Sequence, residues 1–115
     1  MQVALKRAYD SAAKSDGKRI LVDRLWPRGV KKEDAKIDLW LKEVAPSTEL
    51  RKWFNHQDER WPEFKQRYVA ELKDNPAFAE LEEIASNEKV TLIFSTKDEK
   101  KNSAAVLQQL LSKQK

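Results

Sequence analysis

Ile20-Leu21-Val22-Asp23-Arg24-Leu25-Trp26-Pro27-Arg28-Gly29 is the stretch that decides the fold. Three consecutive aliphatic residues run without a polar break into an acid, two arginines, a tryptophan and a Pro/Gly turn. A short unbroken apolar run suits a strand covered on both faces, as in a parallel sheet flanked by helices. A buried strand has no reason to finish in charges and a tryptophan unless that end is exposed and shaped. The segment from Lys18 to Leu25 is therefore read as a strand whose carboxyl end meets solvent.

Two more segments share this character. Val90 to Ser95 is apolar and rich in β-branched residues, and Val3 to Tyr9 alternates Val3, Leu5 and Arg7 with Ala4, Lys6 and Ala8. Between Lys18–Leu25 and Val90–Ser95 the pattern turns helical. Asp38 to Val44 presents Leu39, Trp40 and Leu41 and stops before Pro46. Ser47 is an N-cap for Thr48 to Phe54. Trp61, Phe64, Tyr68 and Leu72 recur at helical spacing, with Pro62 in the first turn. Asn75 and Pro76 open a further helix burying Phe78, Leu81, Ile84 and Ala85, and Asn102 or Ser103 caps a closing one with Val106, Leu107, Leu110 and Leu111 inward. The expected fold is α/β: a small, mostly parallel sheet of about three strands flanked by helices, in the order β-β-α-α-α-α-β-α, forming a single domain over 1–115. The strands at 18–25 and 90–95 are expected to be parallel. The link from Asp10 to Gly17 is long for a hairpin and short for a parallel crossover, so the first strand's direction stays open.

Composition narrows the function. The 115 residues contain no cysteine, which excludes disulfides, thiolate nucleophiles and zinc sites built on Cys. One histidine rules out a multi-histidine metal site, and neither a metal nor a cofactor is expected. Met1 to Asp10 lacks the apolar core of a signal peptide, and no aliphatic run approaches the ~20 residues that span a bilayer. A soluble, cytoplasmic protein without a membrane partner is expected. The net charge of +4 favours anionic partners, either a small anionic molecule or, weakly, nucleic acid; the same charge also serves plain solubility.

Ligands of open α/β sheets gather at the carboxyl ends of the strands. Here those ends carry Arg7, Tyr9 and Asp10, then Asp23, Arg24, Trp26 and Arg28, then Ser95, Thr96, Lys97 and Asp98. Guanidinium forks and a lysine ahead of a helix suit phosphate or carboxylate. Arg7, Arg24, Trp26, Arg28, Arg51 and Lys97 are the candidate anion- or ligand-binding residues. Asp23 and His56 are the candidate proton carriers, His56 by residue type. Each has a structural alternative: Asp23 and Arg24 holding loops, Arg28-Gly29 an ordinary turn, His56 capping a helix end. Of the tryptophans, Trp40, Trp53 and Trp61 are expected on apolar helix faces in the core, leaving Trp26 to stack on a ligand.

The strings Lys6-Arg7, Tyr9-Asp10, Asp23-Arg24-Leu25-Trp26-Pro27-Arg28-Gly29, Trp40-Leu41-Lys42-Glu43, Ala45 to Phe54 with His56, and Val90-Thr91-Leu92 with Lys97-Asp98 and Asn102 run through nearly the whole chain. In these the sequence resembles the YeaO-like family of uncharacterised bacterial proteins. The resemblance implies an α/β fold and a cytosolic bacterial protein, and brings no substrate or activity. Where that family typically has Tyr-Ala-Ala and His-Asn, this chain has Phe94-Ser95-Thr96 and Lys101-Asn102, so no role carries over onto a tyrosine or histidine there. Three functional readings stand: a binder, or transformer, of a phosphate- or carboxylate-bearing small molecule; a nucleic-acid-associated accessory protein; and an interaction module without chemistry. The chain has no P-loop, GxGxxG or nucleophile elbow.

Overall fold

The computed structural model describes residues 1–98 and 100–112. Its sheet has four strands, β1 (Val3–Arg7), β2 (Lys18–Leu21), β3 (Leu39–Trp40) and β4 (Val90–Phe94), in the order β1-β4-β2-β3. All three pairings are parallel. The expected parallel relation of the 18–25 and 90–95 segments holds, with Ile20 beside Leu92. The open question of the first strand is settled by its neighbour: β1 lies parallel to β4, with Leu5 also beside Leu92. Residues 8–17 therefore return from the top of β1 to the bottom of β2 with no more than a 3-10 turn, Lys14–Asp16.

Alternation along the strands divides the interior in two. Ile20, Val22, Leu41, Val90, Leu92 and Phe94 face the larger core, with Val3, Leu5 and Leu39 packed against it. Four helices supply the other side of that core: α2 (Thr48–Phe54), α3 (Trp61–Leu72), α4 (Pro76–Asn87) and α5 (Ser103–Ser112). Their inward residues include Leu50, Phe64, Tyr68, Leu81 and Leu107. Ala8, Leu21 and Ile93 face the opposite way into a smaller cluster with Trp26, Val30, Ile37 and Trp40. Loops and the single turn α1 (Lys32–Ala35) cover that second face, where helices were expected.

The same second face holds a buried ionic triad beneath the 8–17 return. The Asp16 carboxylate accepts from Lys6 Nζ at 2.8 Å, Arg19 Nη1 at 2.6 Å and the Ala13 N–H at 2.9 Å. Arg19 also donates from Nε and Nη2 to the Ala35 carbonyl, at 3.0 and 2.9 Å. Thr91 Oγ1 on β4 donates to the Asp16 carbonyl at 2.7 Å. Polar atoms of a crossover that lacks a helix thus find partners without water, as buried backbone requires.

One expected element is different. Asp38 to Val44 is not a helix: Leu39–Trp40 forms β3 and Lys42–Val44 a 3-10 turn. The open edge of β2 claims this segment, with Asp38 N–H donating to the Arg19 carbonyl and Leu41 N–H to that of Leu21, both at 2.9 Å. Leu39 and Leu41 then face one core and Trp40 the other, a period of two that three adjacent apolar residues conceal. Trp40 accordingly sits in a strand, not on a helix. The helix starts agree with their caps: Ser47 Oγ accepts from Leu50 N–H, Asn75 Oδ1 from Ala77 and Phe78 N–H, and Asn102 Oδ1 from Ala105 N–H.

Candidate functional site

Beyond Val22 the chain leaves β2, and its exit is fastened on every side. The Asp23 carboxylate reaches across to the end of β4, where its Oδ2 accepts from Ser95 N–H at 2.9 Å and Ser95 Oγ at 2.7 Å. Burial pushes the Asp23 carboxyl up from its ordinary range and outweighs the lowering by Ser95 and the Arg51 guanidinium. Arg24 points to the entrance of α2, donating from Nη2 to the Ala45 and Pro46 carbonyls at 3.3 and 3.2 Å. Its Nε is buried and has no hydrogen-bond partner among the described residues. The loop then turns back: Val30 N–H donates to the Pro27 carbonyl, Gly29 supplies the positive φ of 79° that the third position of a type II turn requires, and Trp26 Nε1 donates to the Val30 carbonyl at 2.7 Å. The Trp26 ring meets Trp40 edge-on at 5.7 Å.

These exits border a cleft of about 810 Å³ at the carboxyl edge of the sheet. One wall comes from the ends of β2 and β4, with Asp23, Arg24, Leu25, Trp26, Arg28, Ser95 and Thr96. The facing wall is α2 and its exit, with Arg51, Lys52, Phe54, Asn55 and His56. Trp61 and Phe64 of α3, with Lys101, Asn102 and Ser103 at the entrance of α5, also line it. His56 is placed by backbone: Asn55 caps α2 in the left-handed region at φ 46°, and His56 continues there at φ 55°. Consecutive left-handed residues without glycine turn the chain sharply and leave the exposed imidazole at the cleft rim. The capping alternative for His56 therefore falls to its neighbour.

Asp23, Arg24, Trp26, Arg28, Arg51 and His56 are thus brought together around one concavity. Arg7 and Lys97 are not among its lining residues. Arg7 donates from Nε to the Thr96 carbonyl and from Nη2 to that of Ser95, both at 3.0 Å, fastening the end of β4, and its guanidinium lies 5.0 Å from the Tyr9 ring. Lys97 is exposed. The cleft also contains groups that sequence reasoning missed: Lys52, Lys101 and the aromatic surface of Phe54, Trp61 and Phe64. Lys101, directly ahead of the Asn102 cap, was legible as a helix-entrance cation. The aromatics were not, because a helix face lining a cleft has the same spacing as one lining a core. The electrostatics are one-sided: among the described residues Arg24, Arg28, Arg51, Lys52 and Lys101 line the cleft against a single carboxylate, Asp23. Lys101 also pairs with Asp58 at 3.6 Å. Among the described residues, no group of three or more His, Asp or Glu is arranged to hold a metal ion, and no helix is long and apolar enough to cross a membrane.

Fold and site together define a parallel α/β protein with a basic cleft at the carboxyl edge of its sheet. The chain belongs to the DUF488-N3i family, described as the inactive DUF488-N3 subclade, which matches residues 2–115. It is similar to the uncharacterised protein YeaO of Escherichia coli, 47% identical over 108 residues that cover 93% of this chain and 94% of that one. It is likewise similar to uncharacterised proteins of Mycobacterium tuberculosis and Mycobacterium bovis, each 45% identical over 111 residues covering 96% of this chain and 94% of theirs. The resemblance to YeaO-like bacterial proteins is a family relationship. No solved structure matches the chain.

Proposed function

We propose that the protein binds a small phosphate- or carboxylate-bearing molecule in the cleft at the carboxyl edge of the sheet, and holds it without transforming it. The observation that carries this reading is the charge imbalance of the cleft among the described residues, with five basic side chains, of which Lys101 also pairs with Asp58, and a buried Arg24 Nε without a described partner against one lining carboxylate. A buried donor without an acceptor costs about 1–3 kcal/mol, and an anion oxygen is the group that relieves it. Arg51 and Lys52 on α2 and Arg28 on the opposite lip surround such an anion from two sides.

Binding without turnover is supported by what the two candidate proton carriers do. The Asp23 carboxylate is engaged by both donors of Ser95, so its role is to hold the end of β4 against the exit of β2. His56 is left as a rim contact for the ligand. The description of the family as inactive agrees with this assignment. Nucleic acid would call for basic groups along a continuous stripe, whereas these line a concavity.

Thermal unfolding with increasing inorganic phosphate tests the proposal, since a ligand of the native state raises the midpoint with concentration. The wild type is expected to be stabilised, and Arg51→Ala, which removes an exposed side chain, to lose that response while keeping its own midpoint. An absence of phosphate-dependent stabilisation in the wild type, or an unchanged response in Arg51→Ala, overturns it.

A further inference from the structure

We infer that the ligand of this cleft is an anion carried on a planar aromatic ring, of the kind a nucleoside monophosphate represents, with Tyr9 and Leu25 forming the lip that receives the ring. This rests on the anion-binding reading above and adds the nature of the ligand's body.

The first observation is where the protein leaves apolar surface in water. Three large apolar side chains stand exposed among the described residues: Met1, Tyr9 and Leu25. Met1 is the first residue of the chain. The other two, 50% and 69% exposed, both border the cleft. Exposed apolar side chains scattered singly need no explanation, but two lining one basic concavity suit a surface that a ligand covers.

The second observation is that the lip is held in place. Tyr9 Oη donates to the Arg28 carbonyl at 3.1 Å, tying the end of β1 to the turn that follows β2, and the Arg7 guanidinium lies 5.0 Å from its ring. A ring fixed this way offers contact area at little cost in conformational entropy. Leu25 stands between Arg24 and Trp26, each of which is fastened to backbone carbonyls, so its own backbone is constrained from both sides.

The third observation is the depth of the cleft. Phe54 and Trp61 are half-buried and line the same concavity together with the buried Phe64. Trp61 stacks on Phe64 at 5.3 Å, and Phe54 lies 4.7 Å from the same ring. Arg51 and Lys52 stand on the helix that Phe54 ends. Apolar aromatic surface and cations on one helix suit a ligand with a flat apolar end and an anionic end. A volume of about 810 Å³ accepts a molecule of nucleotide size.

Isothermal titration calorimetry with inorganic phosphate, ribose 5-phosphate and adenosine 5′-monophosphate on the intact protein tests this inference. Adenosine monophosphate is expected to bind roughly tenfold more tightly than ribose 5-phosphate, the difference being the stacked ring. Leu25→Ser, at an exposed position that folding does not depend on, should remove most of that gain and leave the affinity for ribose 5-phosphate unchanged. Equal affinity for the two phosphates overturns the aromatic ligand and leaves the anion-binding proposal standing. Absence of binding by all three probes overturns both. A short single-stranded oligonucleotide that binds far more tightly than the mononucleotide also overturns the inference, because the ligand is then a polymer and not a small molecule.

Discussion

Replacing Asp16 by alanine should destabilise the protein by about 3–5 kcal/mol at pH 7, the range for breaking a buried ion pair from one side. The structure supplies the reasons. Asp16 and Arg19 are 6% and 4% exposed, and the carboxylate takes hydrogen bonds from Lys6, Ala13 and Arg19. Without it, Arg19 Nη1 is left in a buried position beside no acceptor, while Nε and Nη2 keep the Ala35 carbonyl. Part of the effect is tied to pH. Burial pushes the Asp16 carboxyl up, but Lys6, the Ala13 N–H and Arg19 together outweigh it and hold the group down at about 2, against an ordinary 3.8. A depressed carboxyl contributes stability that is complete above 3.8 and lost as pH falls towards 2; a gap of this size corresponds to roughly 2 kcal/mol. Urea unfolding followed by tryptophan fluorescence at pH 7 and at pH 3 measures both quantities. The gap between wild type and Asp16→Ala should narrow on acidification, and adding Arg19→Met to Asp16→Ala should recover part of the loss by removing the stranded charge. A loss below about 1 kcal/mol at pH 7 would refute the reasoning, since the triad would then behave as a surface ion pair. So would a gap that does not depend on pH.

Other substitutions test separate parts of the molecule. Tyr68→Phe removes the buried hydroxyl that donates to the Val44 carbonyl at 2.6 Å; the orphaned carbonyl should cost about 1–3 kcal/mol, read as a lower urea midpoint at unchanged slope. Gly17→Ala should cost more than the ~1 kcal/mol of an ordinary left-handed position, because φ is 67° and the added Cβ meets the Lys89 oxygen at 2.5 Å; thermal unfolding checks it. Asp23→Asn should leave stability at pH 7 unchanged or slightly raised: a carboxyl pushed up by burial weakens folding as pH rises above 3.8, and the amide oxygen still accepts from Ser95. The same change removes the one carboxylate among the described lining residues and should tighten phosphate binding by about threefold to tenfold, measured by calorimetry.

The strands and helix starts were readable because their signals are local. Unbroken runs such as Val90 to Phe94 and cap residues such as Ser47, Asn75 and Asn102 act within a few residues of themselves. β3 was not readable, since two residues become a strand only when the edge of β2 is there to pair with them. At the site, the rule of strand carboxyl ends picked out Asp23, Arg24 and Arg28, and the α2 segment supplied Arg51 and His56. It also proposed Arg7 and Lys97, whose positions at strand ends do not reveal which way their side chains run. Arg7 turns to the carbonyls of Ser95 and Thr96, a contact made across nearly the full length of the chain and invisible to spacing.

One of the two inner strands of the sheet, β4, is the last one in the sequence. β1 and β2 lie on either side of β4 and do not touch each other in the ladder, so β1 has no partner until residues 90–94 arrive, and β2 has only the two residues of β3. During synthesis the ribosome must deliver most of the polypeptide before the earliest strand meets a partner. A nascent chain halted before Val90 can pair β2 with β3 but leaves β1 without a neighbour and lacks α5. Its β1 segment and the β4-facing edge of β2 stay unpaired through that interval, which is when a growing chain is most open to aggregation and to capture by chaperones.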